Sequence, residues 1–279
     1  MCFKNRSNTL FFALTFGSSA ISLILRLLSV MFFYDPEIGY YTVGAILPTV
    51  SNMFFVLSAI ALAFMPFFLF NKEEKPVIYQ GVMTYAAFVP AVAMAVFAVV
   101  LLIAMPGDIV PYDMLFFAAT VVGAVFFASI VLVKQPSALT LCFGIGFILW
   151  LAICWLSSYT DFTVTMNSPD KLFFHFSCIG AALLTVAELK IAYGMADVRQ
   201  HRCYMALSIL SLSSGVAVSV VGDLLGAYSH NPTFNQSAVL CAVLIYAVVR
   251  SVFSFSKDDA SLELDESTAE TDTAAADSE

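Results

Sequence analysis

Residues 9–33 read TLFFALTFGSSAISLILRLLSVMFF. A helix rising 1.5 Å per residue needs about 20 mostly apolar residues to cross roughly 30 Å of hydrocarbon. This run supplies them, with Arg26 as its single charge. It is too long for a signal-peptide core and lacks a small-residue cleavage site, so it reads as a retained first span. Thr15, Ser19, Ser22, Arg26 and Ser29 recur at spacings of 4, 3, 4 and 3. At 100° per residue they share one face, within about 80°. Leu, Ile, Phe and Val fill the opposite face. One side of this helix is therefore expected to meet lipid, and the other to meet protein or a water-filled cavity.

The rest of the chain repeats that reading. Of 279 residues, 61% are hydrophobic and 11% charged, against about 25% charged in a soluble domain. Mean hydropathy is +0.91. Apolar segments at about 9–33, 42–70, 78–105, 112–133, 138–157, 171–194, 203–226 and 236–255 each suffice to span a bilayer. They predict an all-α, polytopic bundle of eight transmembrane helices over residues 1–257, with the lipid bilayer as its solvent. Turn residues separate the segments, among them Pro106-Gly107-Asp108 and Ser168-Pro169-Asp170. Ser168 reads as an N-cap and Pro169 as the first helical position of segment six.

Charge placement gives orientation. With the N-terminus inside, Lys4, Arg6, Lys72, Lys75, Lys134, Arg199, Arg202 and Lys257 are cytoplasmic, and Lys190 and Arg250 close the inner ends of segments six and eight. Lys171 is then the one external cation, so both termini are expected in the cytoplasm of a multi-pass cell-membrane protein. The net charge of −8 belongs to residues 258–279, which carry no Lys or Arg. That tail is expected to be a disordered, acidic cytoplasmic extension. No connection is long enough for a kinase, nucleotide-binding or nucleic-acid-binding domain, and nucleic acid is not an expected partner.

Intramembrane polar residues mark the candidate site. Arg26 on segment one, Asn52 on segment two, His175 on segment six and Asp223 on segment seven all fall in the outer half, with Arg26 and Asp223 as the expected charge pair. Three readings stand side by side: a ligand or ion site, an Arg–Asp clamp that fixes packing, and an Arg snorkelling to the interface. Glu188, toward the inner end of segment six, needs a partner or a proton, and is a candidate ion- or proton-linked group. On segment seven, Ser208, Ser211, Gly215, Ser219, Gly222 and Gly226 make a strip of small residues suited to a tight helix–helix contact. Prolines 48, 66 and 90 can break helix regularity near a pathway.

The six cysteines show no metal-ligand spacing, and no zincin, nucleophile-elbow or phosphate-loop pattern occurs. No metal, cofactor or catalytic residue is expected. Tyr34-Asp35 and Gly222-Asp223 faintly resemble the paired motifs of intramembrane aspartyl proteases, but Val220 stands where a glycine belongs and no Pro-Ala-Leu follows. Tyr34-Asp35-Pro36-Glu37-Ile38-Gly39-Tyr40-Tyr41 and Met166-Asn167-Ser168-Pro169-Asp170-Lys171 resemble loops of uncharacterised multi-spanning membrane proteins of anaerobic, clostridia-like Gram-positive bacteria. That resemblance implies no activity and no functional residues. The expected function is binding or transport of a small solute or ion through an outward-facing polar site. The alternative is a non-catalytic sensor, assembly or partner-binding component acting through helix seven or the acidic tail.

Overall fold

A computed structural model of the chain describes residues 2–70, 82–104, 111–132, 137–163, 168–228, 231 and 233–252. Lys72, Lys75, Pro106-Gly107-Asp108, Lys134, Met166-Asn167, Lys257 and the acidic tail lie outside the described residues. Among those described, eight helices are long and apolar enough to cross a membrane. They are α1 (Cys2–Phe33), α2 (Ile46–Leu69), α3 (Phe88–Ala104), α4 (Pro111–Leu132), α5 (Ala138–Thr160), α6 (Pro169–Ala192), α7 (Val198–Leu224) and α8 (Phe234–Val252). A 3₁₀ turn, Val82–Ala87, leads into α3. The chain is an integral membrane protein of the polytopic helical class, and most helix ends lie within about five residues of those expected, though α1 starts seven residues earlier and α3 ten residues later.

Local chemistry sets the ends. Ser168 caps α6 by accepting from the Lys171 amide (3.3 Å), with Pro169 at the start, as expected. Asp197 caps α7 through the Arg199 amide (2.9 Å). At the far end of α7, Gly226 takes a φ of 75°. The Ala227 amide bonds back to Gly222 O (2.8 Å) and the Gly226 amide to Asp223 O (3.0 Å), a Schellman closure that disfavours a side chain at Gly226. Gly226 thus terminates the helix and adds nothing to its packing strip.

Between α1 and α2, Tyr34–Asp35 and Tyr40–Tyr41 pair as a short antiparallel hairpin, β1 and β2. Asp35 Oδ1 accepts from the Glu37 and Ile38 amides. Its carboxylate holds the turn.

Helices α6 and α7 are the most buried spans and divide the core in two. On one side Phe11, Phe55, Leu62 and Phe70 of the α1–α2 pair meet Phe173, Ala206 and Leu210. On the other, residues of α3, α4, α5 and α8 pack around Phe126, Phe147, Trp150 and Tyr246. The α6–α7 contact is close because small residues allow it. Ser208 Oγ donates to Gly180 O (2.7 Å) and Ser177 Oγ to Ser211 O (2.9 Å). A methyl group added at Gly215 would stand 2.1 Å from Ser177 Oγ and 2.5 Å from Phe173 O.

Helix α7 is not uniform. Ser213–Ala217 forms a π-helical turn. Two serine hydroxyls, Ser213 Oγ (3.0 Å) and Ser214 Oγ (2.7 Å), donate to the same carbonyl, Leu210 O. Such back-bonding competes with the helical ladder, and a π turn inserts one extra residue. The strip therefore changes partner partway. Ser208, Ser211 and Gly215 face α6, whereas Ser219 Oγ accepts from Asn231 Nδ2 (3.0 Å) and Gly222 abuts Tyr228 and Val30 of α1. Two of the three prolines sit where they leave the helix intact. Pro48 and Pro90 sit in the first turns of α2 and α3, where a missing N–H disturbs the ladder least, whereas Pro66 lies inside α2 and removes one of its hydrogen bonds.

Candidate functional site

The polar stripe of α1 faces inward along its whole length: Thr15, Ser19, Ser22, Arg26 and Ser29 are all buried, while Leu14, Ile21, Ile24, Leu28 and Met31 are exposed. Ser22 Oγ shares a hydrogen bond with Ser214 Oγ in the π turn (2.8 Å). One turn further on, Arg26 is 2% exposed and its guanidinium lies 3.7 Å above the Phe173 ring. A cation on an aromatic face recovers part of the solvation it has lost.

The carboxylate that meets Arg26 is Asp170, in the first turn of α6. Nη2 donates to Oδ1 at 2.9 Å. Nη1 donates to the Tyr41 hydroxyl on the hairpin. Tyr228, from the connection between α7 and α8, donates to the same Oδ1 at 3.1 Å. Tyr34 packs edge-on against Tyr228 (5.2 Å) and Tyr41 (6.0 Å) and faces Asp170 without a well-formed hydrogen bond to it. Hairpin, α1, α6 and the α7–α8 connection thus converge on one charge pair ringed by three phenols. Burial pushes the Tyr41 phenol up to about 12 and those of Tyr34 and Tyr228 well above their usual value, with Asp170 raising all three further. All three phenols remain protonated at physiological pH.

Of the four residues expected together, Arg26 alone anchors this cluster. Asp223 is half-buried on α7, and among the described residues Arg26 forms its ion pair with Asp170. The expectation assumed a straight helix, and the π turn re-aims everything beyond it. Asn52 is exposed on α2. The buried face of that helix is Pro48, Ser51, Phe55, Ser58, Leu62 and Pro66, and Asn52 lies about 100° from Ser51. His175 is half-buried and meets Trp155 of α5 edge-on at 5.6 Å, away from the face that carries Phe173. The helix that carries each of them was legible in the sequence, but the direction each faces was not.

The residues missed were Asp170, Tyr34, Tyr41 and Tyr228. Asp170 reads in sequence as an ordinary first-turn acid favoured by the helix dipole. Tyr34, Tyr41 and Tyr228 lie in the connections between helices, where polar and aromatic residues read as loop chemistry.

A second charge pair sits toward the opposite end of α6. Glu188 finds its partner in Arg250 of α8: Nε donates to Oε1 at 3.0 Å and Nη2 to Oε2 at 3.4 Å, with both side chains 6% exposed. Tyr246 faces both groups, and His201 is buried close to Arg250.

The two pairs differ in completeness. Arg250 grips Glu188 with the two-pronged geometry that guanidinium and carboxylate favour. Arg26 holds Asp170 through one nitrogen and one oxygen. Its Nε and the carboxylate's Oδ2 are both buried with no hydrogen-bond partner among the described residues. The Asp170 side chain is 20% exposed. The Glu188–Arg250 pair is a finished clamp, whereas the Arg26 pair keeps one donor and one acceptor unspent and one partner within reach of solvent.

No protein-family model, curated protein or solved structure matches this chain.

Proposed function

We propose that this membrane bundle binds, and by binding moves, a small polar solute or ion at the Arg26–Asp170–tyrosine cluster. The observation that carries the reading is the one-pronged pairing of a buried arginine with a part-exposed carboxylate. Unspent hydrogen-bonding capacity on buried charges costs free energy, and a solute that satisfies it recovers that cost. The positive-inside bias supports an orientation with this cluster toward the outer side of the cell membrane and both termini inside. Neighbouring features fit the reading: the Ser22–Ser214 bond continues the polar stripe from Arg26 down to the π turn, and π turns are frequent at functional sites.

A non-catalytic sensor, assembly or partner-binding component is the second reading. Its helix-seven version loses ground because Ser208, Ser211 and Gly215 are already seated against α6. It then rests on the acidic tail.

The test is a thermal-shift screen of purified protein against small polar solutes. A solute that raises the melting temperature of the wild type should lose most of its effect in Arg26→Lys, which keeps the charge and removes the planar fork. A solute that stabilises both proteins equally would dissociate binding from this cluster.

A further inference from the structure

We infer that the solute taken at this site carries a carboxylate, and that it binds by replacing Asp170 on Arg26. The inference rests on the solute-binding reading and follows from asking which half of the pair can leave. Arg26 is held in place: it is 2% exposed, lies flat on Phe173 at 3.7 Å, and is bonded to Tyr41. Asp170 is less constrained. Its side chain is short, sits in the first turn of α6, and is 20% exposed. The exchangeable member is therefore the anion, and the fixed member is a guanidinium.

The groups around the departing carboxylate are donors. Arg26 offers Nη2, already used, and Nε, buried and unspent. Tyr228 points its hydroxyl at the same carboxylate oxygen. A free carboxylate, with no backbone tether, can lie in the plane of the guanidinium and take Nε and Nη2 together, which Asp170 does not do from its place on α6. Bidentate pairing of this kind is the strongest a guanidinium makes with an oxyanion. Asp170 is on this view an internal competitor, and the native protein binds more weakly than its arginine would allow by the fraction of time that Asp170 occupies it. An ammonium solute has the opposite requirement. It would need Asp170 as its partner and would find Arg26 in the way.

The two chemistries predict opposite effects of one substitution. Wild type, Asp170→Asn and Arg26→Lys would be titrated with sodium formate, acetate and lactate, with methylammonium chloride, sodium chloride and glycerol as controls, following melting temperature and intrinsic tyrosine fluorescence. The expected result is stabilisation of the wild type by at least one carboxylate beyond the sodium chloride control. Half-maximal effect should come at about tenfold lower concentration in Asp170→Asn, because the competitor is weakened, and the effect should be lost in Arg26→Lys. A carboxylate that binds Asp170→Asn more weakly than wild type overturns the inference. So does one that binds Asp170→Asn alone, since the native pair would then never open. Stabilisation by methylammonium or glycerol only would overturn the carboxylate assignment and leave the solute-binding reading standing. Failure of every solute to shift the wild type would overturn both.

Discussion

A buried guanidinium in a lipid-embedded bundle must find its counter-charge inside the protein, and Arg250 finds it in full. Both Nε and Nη2 meet Glu188 oxygens, with each side chain 6% exposed. Removing one member strands the other, which costs about 3–5 kcal/mol for a buried pair, whereas replacing both by apolar residues of similar volume is often neutral. Glu188→Leu and Arg250→Met should therefore each be damaging alone, and the two combined should recover most of the loss. Melting temperatures of the two single variants and the double variant, read as a cycle, check this. A double variant no better than the singles would show that the pair does more than hold α6 to α8. The sequence marked Glu188 as needing a partner but did not identify Arg250. Arg250 lies 62 positions away at a helix end, where a lone arginine reads as an interfacial anchor. Pairing across helices is a tertiary fact that periodicity within one helix does not encode.

Periodicity was nonetheless sufficient for α1 and for the start of α7, though on the equally regular α2 and α6 it did not give the facing of Asn52 or His175. The α1 stripe came out buried residue for residue, and the upper part of the α7 strip seats against α6 as small-residue spacing demands. The reading failed where α7 changes pitch. Three of the four residues from Ser211 to Ser214 are serine, and hydroxyls competing for the Leu210 carbonyl admit a π turn that a 3.6-residue wheel does not contain. Asp223 was misplaced for that reason. The same turn brings Gly215 onto the backbone of α6, so Gly215→Ala should destabilise by about 1–3 kcal/mol, the usual cost of forcing a methyl group into filled space. Flexible hydroxyls can yield, but Phe173 O at 2.5 Å cannot do so without moving the helix. Gly17→Ala is the matched control: nothing lies within 4 Å of its added methyl, and alanine is the better helix former. Its melting temperature should equal or exceed that of the wild type while that of Gly215→Ala falls. Equal effects would mean that the α6–α7 contact is looser than its geometry.

At the scale of the molecule, α6 and α7 form a central wall, and the site lies at one end of it. The pair α1–α2 packs on one side and α3, α4, α5 and α8 on the other. The cluster at Arg26 ties the wall to α1, and Glu188–Arg250 ties it to α8 at the opposite end. A solute that takes Asp170 from Arg26 would therefore loosen the α1 side while the α8 side stays clamped, which gives binding a mechanical consequence. Whether that end faces outward is decided by topology, and the bias of Lys and Arg predicts that it does. Val43, fully exposed beyond the hairpin, and Met195, exposed in the connection between α6 and α7, mark the two ends. In a background with the native cysteines replaced, Val43→Cys should react with a membrane-impermeant maleimide on intact cells, and Met195→Cys only after permeabilisation. The reverse pattern would invert the bundle and turn the Arg26 cluster toward the cytoplasm. Its solutes would then be drawn from inside the cell, while the pairing argument for a carboxylate would stand unchanged, because it depends on which half of the charge pair can leave and not on the side it faces.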